Sequence, residues 1–211
     1  MSRTNDADAR LFFPATARNR EPIAAELAPR LPGAGTILEI ASGSGEHIVE
    51  FAARFGATHP DLCWIPSDIE AEHLASIEAW TRAREVGARV ATPLRLDVHD
   101  ESWPLEGKLD AIYCANMIHI APASASEGLL RGAATHLRSG AALFLYGPFT
   151  RDGRHTAPSN EAFDLRLRER NADWGVRDLE TLSARAAALG LEREVVVEMP
   201  ANNLFVVFRR D

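Results

Sequence analysis

The stretch Ile37-Leu38-Glu39-Ile40-Ala41-Ser42-Gly43-Ser44-Gly45-Glu46 decides the fold. An apolar run, Thr36 to Ile40, ends in a turn of small residues. Beyond the turn, Ile48, Phe51, Ala52 and Phe55 recur at helical spacing until Gly56. Strand, tight turn and helix make the opening unit of an α/β sheet. Small residues at such a turn let a ligand touch the backbone, and the helix N-terminus offers N–H groups that have no partner within the helix. The dinucleotide fingerprint G-x-G-x-x-G does not fit. Counted from Gly43, its third glycine falls on Ile48; counted from Ala41, its first glycine is missing. No glycine-rich run precedes a lysine, so a Walker A loop is excluded as well, and a nicotinamide oxidoreductase is disfavoured.

Working outward, the same alternation repeats. Residues 1–20 read as an irregular lead-in. Pro22 opens a short helix that Pro29 and Pro32 end. Leu62 to Ser67 is a second strand, and Leu74, Ile77 and Trp80 mark the helix after it, ending near Gly87. Val90 to Val98 and the run within Leu109 to Ile120 give a third and a fourth strand. Ser124 and Glu127 have capping-box spacing ahead of Leu130, Ala133, Ala134 and Leu137, with Gly140 past the helix end and a fifth strand over Ala141 to Tyr146. From Arg151 to Gly175 the pattern weakens to a polar loop and a short helix around Phe163 to Arg170. Asp178 caps a further helix carrying Leu179, Leu182, Ala186 and Leu189. Arg193 to Met199 and Asn203 to Arg209 are separated only by Pro200-Ala201-Asn202 and should pair antiparallel. The expectation is one α/β domain over residues 1–211, a mostly parallel sheet with helices on both faces and a C-terminal antiparallel hairpin, with residues 151–175 as a substrate-side insertion. Its ligand site belongs at the carboxyl ends of the strands, where the strand order reverses beside the first strand.

Composition narrows the classes further. The chain has 211 residues with a formal net charge of −7, and Lys108 is its only lysine. An acidic chain lacks the basic face that a general nucleic-acid binder needs, so no nucleic-acid partner is expected. The two cysteines, Cys63 and Cys114, sit inside apolar runs and read as reduced, buried thiols rather than a disulfide or a metal site. The remaining histidines, His59, His73, His99, His136 and His155, lack metal-ligand spacing, so no metal is expected. No apolar run reaches the ~18 residues of a membrane span. Met1 to Arg10 is polar and lacks a leader's apolar core, which together point to a cytoplasmic protein. No G-x-S-x-G elbow supports hydrolase chemistry.

Three carboxylates fall at successive strand ends. Glu39 lies on the first strand, Asp68 ends the second, where a carboxylate can accept both hydroxyl protons of a ribose, and Asp97-Val98 closes the third, suited to an adenine edge. This order resembles the class I S-adenosylmethionine-dependent methyltransferases, with E-x-A-x-G-x-G in place of E/D-x-G-x-G-x-G. Ala41 stands for the first glycine, which is tolerable if its φ stays negative. A closer resemblance covers residues 11–210. The segments ARNREPI (17–23), LEIASGSGEH (38–47), WIPSD (64–68), LDV (96–98), NMIHI (116–120), YGPF (146–149), SNEAFD (159–164), WGVRDLE (174–180) and MPANN (199–203) are similar to the methyltransferase-like family catalogued as a domain of unknown function, whose animal members are called methyltransferase-like 26. The resemblance implies a Rossmann-like, seven-stranded methyltransferase fold and S-adenosyl-L-methionine as cofactor, with S-adenosyl-L-homocysteine as product.

On that reading Arg18, Glu39, Ala41, Ser42, Gly43, Gly45, His47, Asp68, Asp97, Val98 and Asn116 hold the cofactor. Arg18 and Asn19, placed before the first helix, close over it, and Arg18 pairs with its carboxylate. His119 and Tyr146 are the candidates for a general base. Asn160, Trp174, Arg177, Asn202 and Asn203, polar or amphipathic residues in loops and at strand ends, are the substrate-side candidates. The expected activity is in-line methyl transfer to a small-molecule acceptor. The alternative that the same motifs allow is a non-catalytic protein that holds the cofactor or a partner.

Overall fold

A computed structural model of the chain describes residues 8–211, so most of the Met1–Arg10 stretch examined for a leader lies outside the described residues. The elements in chain order are α1 (Pro14–Leu27), β1 (Gly35–Ile40), α2 (Glu46–Phe55), β2 (Leu62–Asp68), α3 (Ala71–Ala83), β3 (Leu94–Arg95), β4 (Leu109–Ala115), α4 (Ala123–His136), β5 (Leu137–Gly147), β6 (Phe149–Arg151), β7 (Arg154–His155), α5 (Pro158–Arg170), β8 (Arg177–Asp178), α6 (Leu179–Ala187), β9 (Leu191–Met199) and β10 (Asn203–Arg210). Seven strands form one sheet in the order β3-β2-β1-β4-β5-β10-β9. β1 pairs parallel with β2 and β4, and β4 with β5, whereas β10 runs antiparallel to both β5 and β9. This is the Rossmann-like methyltransferase architecture, with the expected C-terminal hairpin.

Period-two alternation sorts the strand residues between two cores. Leu38, Ile112, Cys114, Leu143, Leu145 and Val206 face the side packed by α4 and α6. Ile37, Tyr113, Phe144, Tyr146, Phe205 and Val207 face the side packed by α1, α2 and α3. Both faces are buried, which is why these strands read as continuous apolar runs. Two charged or polar interruptions on the α1–α2 side, Glu39 and the Tyr113 hydroxyl, are fully buried and therefore stand out.

Several boundaries differ from the sequence expectation. The first helix begins at Pro14, which takes the first-turn position, and Pro22 lies inside the helix instead of opening it. Its missing N–H leaves the Arg18 carbonyl without an intrahelical partner, a cost offset by burial of Ile23, Ala24 and Leu27. The third strand shrinks to Leu94–Arg95, because the chain leaves the sheet edge on either side and Val90 makes only an isolated bridge with Trp64. Ser124 and Glu127 form no capping box: Ser124 is already inside α4, whose N-cap is Pro122, and Glu127 instead pairs with Arg185. Gly140, expected beyond the helix, lies within β5 at φ 76, where the β4–β5 register shifts. Asp178 does cap α6, accepting from Thr181 N at 2.9 Å. The small second sheet, β7-β6-β8, was not foreseen; its strands of two or three residues are too short to show a period.

Candidate functional site

Strand order reverses between β1 and β4, and the helices that follow these strands cover opposite faces. Their separation opens a cleft at the carboxyl ends, as expected for a doubly wound sheet. The cleft is a cavity of about 630 Å³, within the roughly 300–1,000 Å³ of small-molecule sites. The β1–α2 turn forms its floor through Ala41, Ser42 and Gly43, and the strand-end carboxylates Glu39, Asp68 and Asp97 line it in succession. Asp68 ties this floor together. Its Oδ2 accepts from Gly43 N at 2.9 Å and its Oδ1 from Glu70 N at 3.0 Å, with His73 Nδ1 also 3.0 Å away. Each carboxylate oxygen keeps a further lone pair for a ligand hydroxyl. Asp97 Oδ1 accepts from His99 N at 2.9 Å and lies 2.7 Å from His99 Nδ1; these bonds hold its carboxyl below the usual range.

The turn achieves its shape at Ala41 against the expected sign. Its φ is +54°, so the condition of negative φ attached to an alanine here is not met. Gly43 and Gly45 share the left-handed region at φ +57° and +87°. A Cβ on Gly45 would lie 2.8 Å from Ile77 Cα, and one on Gly43 would lie 3.0 Å from the Phe13 ring. Glycine at 45 thus lets α3 approach the turn, and Gly45 acts through that packing rather than as a cavity-lining residue.

Beneath the turn sits a buried polar group. Glu39 is fully enclosed, its Oε1 is 4.0 Å from His47 Nδ1, and its Oε2 has no hydrogen-bond partner among the described residues. Burial pushes its carboxyl up to about 8, reinforced by the Asp68 charge and opposed by the Ser42 hydroxyl. His47 stacks on Phe51 and its Nε2 lies 2.8 Å from Asn19 Oδ1; burial, with Arg20 nearby, lowers its imidazole to about 4. Glu39 and His47 are therefore both neutral at pH 7.

Several expected site residues are not brought to the cavity. Arg18 is exposed and does not line it; inside α1, the next residue, Asn19, turns inward instead. His119 is fully buried behind Gly147, where a Cβ would lie 2.5 Å from its Nε2. It packs edge-on against Phe149, and neither ring nitrogen has a partner among the described residues. Burial, with Arg177 nearby, lowers its imidazole to about 3, so the placement makes it a neutral packing group rather than a base at the cavity. Tyr146 is buried within the α1–α2 core and does not line the cavity, and burial raises its phenol. Arg177 is committed to backbone carbonyls of Ile118, Ala121 and Asp173. Asn160 donates to Thr156 Oγ1 and Asn202 O and Asn202 to Ser159 Oγ, fastening α5 to the β9–β10 turn, while Asn203 donates to Pro200 O within that turn; none of the three lines the cavity. Trp174, Asn116 and Val98 do line it, Asn116 at φ +61° and with its N–H bonded to Tyr146 O at 2.8 Å.

Other wall residues were not singled out in the sequence. Phe13, Thr16, Met117 and Ile120 all line the cavity. Phe13 belongs to a strap, residues 10–13, laid over the turn. Leu11 N donates to Ser76 Oγ at 2.8 Å, Ser76 Oγ donates to Ser44 O at 2.6 Å, Phe13 N donates to Glu46 Oε2 at 2.8 Å, and Trp80 Nε1 donates to Leu11 O at 2.9 Å. The strap, α3 and the glycine turn therefore share one hydrogen-bond network. The signal for it, Leu11-Phe12-Phe13 ahead of Pro14, is a short apolar run with no period.

Residues 10–210 match the family described as Protein of unknown function (DUF938). The chain belongs to this family. Solved structures extend the DUF938 likeness to fold level. A putative O-methyltransferase from Nostoc punctiforme superposes with a TM-score of 0.78 at 17% identity, covering 92% of this chain and 56% of that one. An O-methyltransferase family 2 protein from Planctomyces limnophilus, solved in complex with apigenin, gives 0.74 at 18%, covering 93% and 60%. CalO1, a methyltransferase in calicheamicin biosynthesis solved in its SAH-bound form, gives 0.73 at 18%, covering 93% and 54%. The DUF938 chain thus spans little more than half the length of these structures and has the fold of S-adenosylmethionine-dependent O-methyltransferases. Among the described residues no cluster of His, Cys, Asp and Glu could hold a metal ion, and no helix is long and apolar enough to cross a membrane.

Proposed function

We propose that this DUF938 chain is an S-adenosylmethionine-dependent methyltransferase acting on a small molecule. The observation that carries the reading is the cavity itself: a glycine turn at the strand-order reversal, with Asp68 and Asp97 at the next two strand ends. These residues fit the cofactor. The enclosed Asp68 carboxylate, already anchored by two backbone N–H groups, receives the ribose hydroxyls, and Asp97 with Val98 bounds the adenine. Ala41, Ser42 and Gly43 let backbone approach the amino-acid end, above Glu39 and His47. Asn116, at the end of β4, borders both this region and the acceptor.

When bound, the cofactor supplies an activated methyl group on a sulfonium. The protein's own task is then to orient the acceptor atom in line with that methyl and to exclude water. The wall of Met117, Ile120 and Trp174 serves the second purpose. Neither expected base contributes. His119 stays behind the wall and Tyr146 within the α1–α2 core, so an acceptor proton leaves to solvent or departs before binding. The apigenin in the Planctomyces limnophilus structure and the SAH in CalO1 support a small-molecule acceptor and the cofactor by likeness of fold.

Titration calorimetry with S-adenosylmethionine, S-adenosylhomocysteine and NADH tests the reading. Binding of the first two and not of NADH is expected. Replacing Asp68 with Asn should weaken S-adenosylhomocysteine by about 1.5–3 kcal/mol, the range of a charge-assisted hydrogen bond. Equal affinity of wild type and variant would remove Asp68 from the ribose site.

A further inference from the structure

We infer that the acceptor is an uncharged, largely apolar molecule, and that anionic substrates such as carboxylates and phosphates are rejected. The inference rests on the cofactor reading above and deepens it. The wall between the end of β4 and the start of α4, closed by Trp174, consists of Ala115, Asn116, Met117, Ile120, Ala121 and Trp174. None of these side chains ionises; the Asn116 amide and the Trp174 indole N–H are the only conventional hydrogen-bonding groups among them.

No arginine or lysine lines any part of the cavity among the described residues, whereas Glu39, Asp68, Glu70 and Asp97 all do. Arginines surround the cavity without lining it, Arg95 among them, which borders a separate pocket with Ile69, Asp97 and Asp100. Arg170 lies 5.4 Å from the Trp174 ring centroid without lining the cavity, Arg177 is held by backbone carbonyls, and Arg18 faces solvent. An anionic acceptor would therefore lose its hydration against an apolar wall, gain no arginine or lysine countercharge, and meet the repulsion of the Asp68 and Asp97 carboxylates, Glu39 being neutral. A cationic acceptor would face the same desolvation at a wall with no carboxylate of its own.

The mouth points the same way. Phe13, Ile69 and Ile120 are large apolar side chains left 38%, 50% and 47% exposed, and all three border this opening. The wall is also preformed. Arg177 ties Ile118 and Ala121 to the segment bearing Trp174, and Gly175 N donates to His119 O at 2.9 Å. A rigid, mostly apolar slot with one amide and one indole N–H selects for shape and neutrality rather than charge.

Calorimetry on the full chain tests this in two stages. S-adenosylhomocysteine is titrated first; if it does not bind, the cofactor reading fails and the acceptor inference falls with it. The loaded protein is then titrated with three matched phenols: methyl 4-hydroxybenzoate, 4-hydroxybenzoate and 4-hydroxybenzylamine. The neutral ester should bind at least tenfold more tightly than the anion or the cation. An Ile120→Lys variant, placing a cation at the half-exposed mouth, should shift the ester-to-acid preference at least tenfold toward the acid. With S-adenosylhomocysteine bound, either charged probe matching the ester, none of the three binding, or a preference unmoved by Ile120→Lys overturns the acceptor class alone.

Discussion

At the scale of single residues, backbone sign and proton affinity carry the predictions. Ala41 holds φ +54°, a conformation that costs an L-residue about 1–2 kcal/mol. Ala41→Gly should therefore raise stability by about 1 kcal/mol in urea unfolding; an unchanged midpoint would mean the turn relaxes elsewhere. Gly43→Ala is the converse. It places a Cβ at φ +57° and 3.0 Å from the Phe13 ring, so it should lose stability and displace the strap. The buried titratable groups set the pH profile. His47 and His119, lowered to about 4 and about 3, contribute stability that is present above the ordinary histidine value and lost as pH falls toward those values. His136, lowered by burial, acts in the same sense. Glu39, raised to about 8, works in reverse: its contribution is greatest below the ordinary glutamate value and is lost as pH rises toward 8. Stability should therefore peak near pH ~6.5 and fall on both sides. His119→Leu should flatten the acid limb and Glu39→Gln the alkaline limb in unfolding titrations from pH 5 to 8. Limbs that keep their slopes would contradict neutral burial of these groups.

At the scale of elements, α4 is the least forgiving. A Cβ on Gly128 would lie 2.3 Å from the Val98 carbonyl oxygen, and one on Gly132 would lie 1.9 Å from the Trp103 ring. Gly132→Ala improves helix propensity by about 1 kcal/mol yet overlaps an aromatic ring that is itself stacked on His136. The overlap should win, for a net loss of about 2 kcal/mol by thermal unfolding. Arg177→Ala should speed amide exchange across residues 118–121 and 173–175 without lowering global stability comparably, because it removes a staple rather than core volume. The central strands were legible as short apolar runs, and the helices α2, α3 and α6 because their apolar residues keep a period and Asp178 and Gly56 punctuate them. The first helix was misread because two prolines competed for its start, and the sequence does not say that tertiary burial of Ile23 and Leu27 carries Pro22 into a helix. The residues of the small second sheet lack enough length for any period.

At the scale of the whole molecule, the cofactor half of the cavity was far more legible than the acceptor half. Glu39, Asp68 and Asp97 sit where three strands end, and strand ends can be counted in a sequence. Whether a side chain on a connecting segment faces the cavity or the core depends on packing between distant elements. His119 and Tyr146 looked catalytic by type, but the backbone turn at Asn116 and the close approach of Gly147 bury His119, and strand alternation turns Tyr146 into the α1–α2 core. Phe13 and Asn19 reached the cavity because α1 lies across α2, a contact with no local signature. One further test belongs at this scale: Phe13→Ala removes a wall residue that is already partly exposed, so it should weaken S-adenosylhomocysteine binding severalfold while leaving the unfolding midpoint nearly unchanged. An affinity equal to wild type would place the ligand clear of the strap.

The strap has one more consequence. Its backbone is fastened to Ser76 and Glu46, and Ser76 in turn fastens Ser44, so the positions of residues 10–13 and of the glycine turn are tied to one another. A ligand seated on that turn and a molecule gripping residues 10–13 would then be thermodynamic competitors or collaborators, each altering the other's hold by the same factor.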